Sequence, residues 1–266
     1  MEYLDFAIEL ARAAGDVLNH YMDREKHVEL KGRANLVTIA DKESEALIIR
    51  RILERYPTHT ILAEESGESG VPTREGGEAG PGGKWIIDPL DGTTNFAHGY
   101  PFFSVSIAFE QAGTVLCGAV YDPCRDELFS AARGLGSFVN GRRLQVSHID
   151  RLGGSLILTG FPYGVREKMK AAMGQFEAFM FESQAVRRGG SAALDLCYAA
   201  IGRCEGFWEM DLHPWDTAAG LVILEEAGGR VTDFAGNPFS IYGKQIVASN
   251  GKIHDEMVAV LARCSA

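Results

Sequence analysis

Three acidic groups stand where apolar elements end. Glu64 and Glu65 follow the strand-like Ile61-Leu62-Ala63 in AEES. Asp88 and Asp91 bracket a proline turn in WIIDPLDGTTN, and Asp216 opens an otherwise apolar helix in HPWDTAAG. Each has a plain structural reading, as a turn former or as a helix cap accepting orphan amide protons. Together they say more. Three clusters delivered by three apolar elements converge at the rim of a core, where unpaired carboxylates are costly and demand a compensating cation. Oxygen ligands select Mg²⁺, Ca²⁺ or Mn²⁺, and the seven histidines show no metal-ligand spacing that would suit zinc. After Asp91, Gly92-Thr93-Thr94 opens a turn or helix whose free amides suit a phosphate. Carboxylate-held divalent ions beside an amide cradle are the parts of metal-assisted phosphoryl hydrolysis. The residues alone lead to a phosphoesterase.

The elements that must position these groups are legible in part. Leu4, Ala7, Ile8, Ala11, Gly15, Leu18 and Met22 predict a first helix, and Ile48, Ile49, Ile52, Leu53 and Tyr56 a second, from about Lys42 to a stop at Pro57. VELKGRANLVTIAD between them reads as a loop or ribbon, and residues 66–83, rich in Gly, Glu and Pro, as a long exposed loop. From Lys84, WIID, FFSVSIAFE, TVLCGAVYD, ELFSAARG and GSFVNG read as strands, with Asn140-Gly141 as a hairpin turn. SLILTGFP, QAVRRGG, GRVTDF and QIVASN follow as strands. Helices are expected near 166–182, through SAALDLCYAAIG, through TAAGLVILEEAGG with Gly228-Gly229 as its cap, and at the end. Grouped strands with helices around them suggest stacked layers.

Composition narrows the class. With 26 basic and 36 acidic residues the net charge is −10, and the basic residues cluster no further than pairs such as Arg50-Arg51 and Arg187-Arg188. That argues against nucleic acid as the main partner. No apolar run reaches the ~18 residues of a membrane span, and the N-terminus lacks a signal-peptide layout. Five scattered cysteines without a Cys-x-x-Cys pair exclude a disulfide framework and fit a reducing cytoplasm.

AEES (63–66), WIIDPLDGTTNF (85–96) and PWDTAAG (214–220), in this order and spacing, resemble the inositol monophosphatase family. NLVTIAD (35–41) resembles its N-terminal loop motif, differing at Ile39; YDPCRDELF, GSFVNG, TGFP, GGSAALDLC and EAGG carry the resemblance over nearly the whole chain. The motifs are specific for the lithium-sensitive, magnesium-dependent phosphatase superfamily and much less so for the ester cleaved. The resemblance implies an α+β fold, a layered α-β-α-β-α sandwich of the inositol monophosphatase/fructose bisphosphatase type. It implies one phosphatase domain over 1–266, with most metal ligands in about 1–145 and Asp216 and substrate contacts in about 146–266. A cytoplasmic homodimer is expected.

Carried over position by position, the resemblance gives Glu64, Asp88 and the Leu90 carbonyl a first Mg²⁺, and Asp88, Asp91 and Asp216 a second. Glu64 with waters would hold a weaker third. Thr93 and Asp41 would position and deprotonate the attacking water. Physical chemistry makes Asp41 the ultimate acceptor, since a hydroxyl is a poor base. Gly92 and Thr93 amides would take phosphate oxygens, and Asp91, Gly190, Ala192 and Glu209 would contact substrate hydroxyls. Mn²⁺ is a possible substitute and Li⁺ an expected inhibitor. Pro89 is expected to turn the chain so that Leu90 presents its carbonyl.

Other residues are set aside. His98 and His213 read as hydrogen-bonded structural residues, Cys197 and Cys204 as core, and Lys31 as solvated. Trp85, Trp208 and Trp215 read as packing anchors. Strand alternation turns Glu65 away from Glu64. The function implied is hydrolysis of inositol 1-phosphate or a related polyol or sugar phosphate. The alternatives are fructose-1,6-bisphosphatase, histidinol phosphatase or nucleotide-phosphate phosphatase activity, or a regulatory protein-binding role on the same scaffold. Glu209 favours a polyol, because a carboxylate can accept two hydroxyl hydrogen bonds. No evident basic group offers a partner for a second phosphate.

Overall fold

The computed structural model describes residues 1–22, 29–31, 35–69, 82–161 and 166–264. The first helix, α1 (Glu2–Met22), buries Phe6, Leu10, Ala14 and Leu18 along the stripe its spacing predicts. The ribbon expected next is a hairpin of β1 (Glu29–Lys31) and β2 (Asn35–Val37). Helix α2 (Ile39–Arg55) starts three residues before the expected Lys42, because Asp41 reaches back to cap the Thr38 amide. Next come β3 (Thr60–Ala63) and β4 (Gly67–Ser69), which pair antiparallel, so the expected 66–83 loop begins as a strand. Residues 70–81 of that loop lie outside the described residues.

Strand β5 (Lys84–Asp91) runs into the short helix α3 (Thr93–Ala97). Strands β6 (Ser104–Gln111), β7 (Thr114–Asp122), β8 (Glu127–Ala132), β9 (Gly136–Val139) and β10 (Arg142–Arg143) complete an eight-stranded sheet in the order β10-β9-β8-β7-β6-β5-β3-β4. Asn140 and Gly141 both take positive φ in the β9–β10 turn, as their pairing in sequence requires. The second half holds β11 (Leu156–Thr159), α4 (Arg166–Glu182), β12 (Ala185–Arg187), α5 (Ala192–Ala200) and β13 (Gly206–Met210). Then come α6 (Pro214–Glu226), β14 (Arg230–Thr232), β15 (Gln245–Ser249) and α7 (His254–Cys264). Their strands form a five-stranded sheet, β12-β11-β13-β15-β14. Strand β13 was not foreseen, and it carries Glu209.

Helices α1 and α2 cover one face of the large sheet. Helices α5 and α6 fill the space between the two sheets, and α4 and α7 pack on the small one. This is an α-β-α-β-α sandwich of the α+β class. The middle layer explains its own sequence: α6 buries Ala218, Ala219, Val222, Ile223 and Leu224 on all sides, so it shows no polar face. A Cβ at Gly118 of β7 would stand 2.6 Å from the Ala219 Cα, so glycine is what lets the helix lie this close to the sheet. Among the described residues no helix is long and apolar enough to cross a membrane.

Candidate functional site

A cavity of about 590 Å³ opens where the C-terminal ends of β3, β5, β11 and β13 meet the N-terminal ends of α3, α5 and α6. Helix N-termini present unpaired amides and the positive end of the dipole, so the layering itself biases this cavity toward anions. Glu64, Asp88, Leu90, Asp91, Gly92, Thr93, Gly190, Ala192, Glu209 and Asp216 all line it. Asp41 stands behind Thr93.

The DPLDG segment is shaped by a break in pairing. Asp88 opposes Ser106 and Asp91 opposes Ser104, leaving Pro89 and Leu90 as a bulge in β5. The Leu90 amide donates to Asp88 Oδ1 at 3.0 Å, and the Leu90 carbonyl accepts the Thr93 hydroxyl at 3.1 Å. Gly92 caps α3 with φ of 98°, and a Cβ there would press within 3.1–3.2 Å of Phe102 and Gly190 backbone oxygens. Asp91 Oδ2 accepts the Ser191 hydroxyl at 2.6 Å and the Ala193 amide at 2.8 Å, which ties α5 to β5. Asp216 caps from inside its helix: it is the third residue of α6, and its Oδ2 accepts the His213 amide at 2.7 Å. The capping role weighed for Asp216 is therefore present, from within the helix, and it leaves the other oxygen to the cavity.

These carboxylates are unfavourably placed for charge. Burial first, then the neighbouring Glu64, Asp91 and Asp216, push the Asp88 carboxyl well above its ordinary range. Burial and Asp91 do the same to Asp216. Burial lifts Asp91 to about 6, against the hydrogen bonds that lower it. Buried Asp41 is also raised to about 6, chiefly by desolvation. Its Oδ2 accepts the Thr38 amide and hydroxyl at 2.8 and 2.5 Å, and its Oδ1 accepts the Thr93 hydroxyl at 3.2 Å.

Glu64 lies in the turn after β3, not on the strand, so alternation is not what separates it from Glu65. The turn is held by a residue the sequence did not single out. Buried Glu45 accepts the Glu65 amide at 2.9 Å and the Ser66 amide at 3.0 Å. The signal was available: Asp41 and Glu45 stand one helical turn apart on the buried face of α2.

Glu209 shares a face of β13 with the buried Phe207, toward the middle layer, while Trp208 on the other face stacks on Phe179 at 4.0 Å. Its carboxylate lies on Gly160, where a Cβ would fall 2.1 Å from Oε1. Burial lifts Glu209 to about 8, with Arg188 opposing and Asp91 adding. His213 stacks on Trp215 at 4.6 Å and lines the cavity, its pKa lowered by burial and then by Lys244. Cys197 and Cys204 are buried in the core, and the Lys31 side chain lies outside the described residues. Lys168, Arg188 and Lys244 also line the cavity, so basic groups do reach the site. They are far apart in sequence and outside the motifs, and only the fold brings them together.

The donor set around the cavity is all oxygen, which suits a hard divalent cation by chemistry. As placed, no three His, Cys, Asp or Glu side chains among the described residues form a ready metal cluster. Asp91 raises both Asp88 and Asp216, and Asp216 raises Asp88, which nevertheless marks the three as one electrostatic group that a cation would relieve.

The family model described as inositol monophosphatase family matches residues 1–266. The chain is 43% identical over 264 residues to an inositol-1-monophosphatase of Synechocystis, covering 98% of this chain and 88% of that protein. It is 44% identical over 264 residues to the Nus factor SuhB of Haemophilus influenzae, covering 98% and 96%. Its fold matches the solved inositol monophosphatase of Anabaena with a TM-score of 0.87 at 44% identity, over 98% of this chain and 96% of that one.

Proposed function

Since the chain belongs to the inositol monophosphatase family, we propose that it is a Mg²⁺-dependent phosphomonoesterase acting on inositol 1-phosphate or a related polyol or sugar phosphate. The observation that carries this reading is the convergence of Glu64, Asp88, Asp91 and Asp216 with the Asp41–Thr93 pair around one cavity. Glu64, Asp88 and the Leu90 carbonyl would hold one Mg²⁺, and Asp88, Asp91 and Asp216 a second; Glu64 would serve a weaker third. Bound divalent ions would offset the carboxylates, stabilise charge on the transferring phosphoryl group and ease deprotonation of water.

The chain's own groups do the rest. Thr93 orients the attacking water through its hydroxyl, and Asp41, raised toward neutrality by burial, is the base that takes the proton. Gly92 and Thr93 amides at the start of α3 receive phosphate oxygens. Gly190 and Ala192, at the start of α5, and Asp91 and Glu209 contact the alcohol portion. Li⁺ would inhibit by occupying the second site, and Mn²⁺ would substitute for Mg²⁺. Residues 1–266 would act as one phosphatase domain in the cytoplasm. The exposed Met169, Met173, Met180 and Phe181 on α4 favour a homodimer.

A second reading has one observation behind it, the 44% identity to a protein named a Nus factor: a regulatory role through protein contacts on the same scaffold. Phosphate release from a panel of inositol 1-phosphate, hexose phosphates, histidinol phosphate and nucleoside monophosphates with Mg²⁺ tests the enzymatic reading. Release led by inositol 1-phosphate or another polyol ester supports it. No release from any ester leaves the regulatory reading.

A further inference from the structure

The face of α2 that meets the large sheet does more than bury apolar surface. Ile48 and Ile52 seat the helix in the same core as Ile61 of β3 and Trp85 and Ile87 of β5. Nearer its N-terminus that face carries three buried polar residues, Asp41, Ser44 and Glu45, at the i, i+3 and i+4 spacing. Each reaches a different segment of the cavity rim. Asp41 accepts the Thr93 hydroxyl at 3.2 Å, and the Ser44 hydroxyl donates to the Pro89 carbonyl in the β5 bulge at 3.2 Å. Glu45 accepts the amides of Glu65 and Ser66 at 2.9 and 3.0 Å. The first contact belongs to the base; the other two have no part in the chemistry described above.

Glu64 opens the turn 64–66 between β3 and β4, which the pairing of Ala63 with Gly67 closes. Strand β4 is three residues long and forms the edge of the sheet, so the sheet holds this turn from one side only. Helix α2 holds it from within. Each oxygen of the buried Glu45 carboxylate takes one of the two turn amides. Without that carboxylate both amides lose their acceptor, and the turn must shift to find others, carrying Glu64 with it. Asp88, Asp91 and Asp216 are anchored differently, through hydrogen bonds to their own carboxylates. Mg²⁺ demands near-ideal octahedral geometry, so a ligand placed by a turn is only as exact as the support of that turn.

We propose that Glu45 is a positioning residue for the first ion: through the Glu65 and Ser66 amides it fixes where Glu64 presents its carboxylate. Ser44 acts in the same way, more weakly, on the bulge that presents the Leu90 carbonyl. The inference rests on the metal-dependent reading of the site. Glu45 itself touches neither ion nor substrate, and the set Asp88, Asp91 and Asp216 does not depend on it.

Calorimetric titration of the ion-free protein with Mg²⁺, in the absence of substrate, tests this in the wild type, Glu45→Gln, Glu45→Ala, Ser44→Ala and Ile48→Val. The binding step that Glu64→Gln removes identifies the first site. Outer partners of metal ligands change affinity by roughly 10–100-fold, so Glu45→Ala should weaken that step by about tenfold or more. Glu45→Gln keeps one accepting oxygen and should fall between it and the wild type; Ser44→Ala should lose less. In phosphate release the Glu45 variants should need more Mg²⁺ for half-maximal rate, with kcat largely recovered at saturating Mg²⁺. Ile48→Val is the control: it thins the core under the same helix and should lower the urea midpoint without changing Mg²⁺ binding. Lowered stability with unchanged Mg²⁺ binding in the Glu45 variants overturns the proposal, as does an equal loss of binding in Ile48→Val. If Glu45→Ala does not fold, Glu45→Gln decides alone. Wild-type protein that binds no Mg²⁺ sinks the metal-dependent reading and this inference with it; wild-type binding that Glu45→Gln leaves untouched sinks the inference alone.

Discussion

Two buried polar regions of this molecule behave in opposite ways. At the carboxylate wall, Asp88 is 1% exposed and Asp216 and Asp91 press on it, so burial and like charge both oppose its ionisation. In the small-sheet half, His254 is fully buried at the start of α7, yet every ring nitrogen has a partner: Nε2 lies 2.9 Å from the Thr232 hydroxyl and Nδ1 2.9 Å from the Ser249 hydroxyl. Burial, with Arg230 adding, lowers its pKa to about 4, so the ring is neutral and satisfied. Glu45 resembles His254 in kind, its two oxygens taken by two backbone amides. A buried polar group completed by its own chain is there for structure. A buried group whose neighbours share its charge awaits something that the chain does not contain.

The largest effect that could break this contrast is Asp88→Asn. Losing a group shared by both proposed ions should reduce phosphate release by roughly 10³-fold or more, at ~1.36 kcal/mol per factor of ten. Urea unfolding of the ion-free protein should show stability unchanged or raised, because repulsion is relieved. Near-normal turnover would remove the functional half of the comparison.

His254→Ala should do the reverse. Two buried hydroxyls lose their partner and a cavity opens, for a cost of about 2–4 kcal/mol in urea unfolding, while kcat per folded molecule stays within about twofold of the wild type. A stable variant with a damaged kcat would reverse the assignments.

The two regions should also titrate with opposite signs. His254 is depressed from 6.5 to about 4, so the unfolded chain takes up its proton first. Stability is therefore lost as pH falls through that window, by up to about 3 kcal/mol. Asp41 is raised from 3.8 to about 6, so its contribution is present at low pH and is lost as pH rises between those values. Stability-versus-pH curves of the wild type and His254→Gln should diverge below pH ~6.5, with the variant falling less steeply. Parallel curves would show that His254 does not titrate as described.

The smallest effect concerns Glu209, which lines the same cavity. At about pH 9, above the value near 8 to which burial lifts Glu209, Glu209→Gln should weaken the inositol 1-phosphate reaction by about 1.5–3 kcal/mol more than that of a nitrophenyl phosphate, which lacks the hydroxyls. Equal losses on both esters would make Glu209 a support of the wall and not a reader of the substrate.

What the sequence made legible was local. Apolar stripes placed α1 and the body of α2, Asn140-Gly141 placed a hairpin, and the contiguous motifs contained the residues that the fold gathers around the cavity. Helix starts were misplaced in one consistent way. Both α2 and α6 begin three residues ahead of expectation because Asp41 and Asp216 are interior residues reaching back to Thr38 and His213. Strand β13 was missed because Glu209 interrupts an apolar run whose partners, β11 and β15, are remote in sequence. The basic groups at the cavity were missed for the same reason: Lys168, Arg188 and Lys244 sit on three separate segments, and no periodicity announces a meeting made by tertiary structure.

The central claim is that the carboxylate wall becomes a hydrolytic centre when a divalent cation completes it. Phosphate release from inositol 1-phosphate by chelator-stripped wild-type protein, titrated with Mg²⁺, tests this most directly. Turnover should be absent without the ion and should rise saturably as it is added. Undiminished hydrolysis without any divalent ion would contradict the claim, as would a protein that folds, takes up Mg²⁺ and releases no phosphate from this ester or any other monoester.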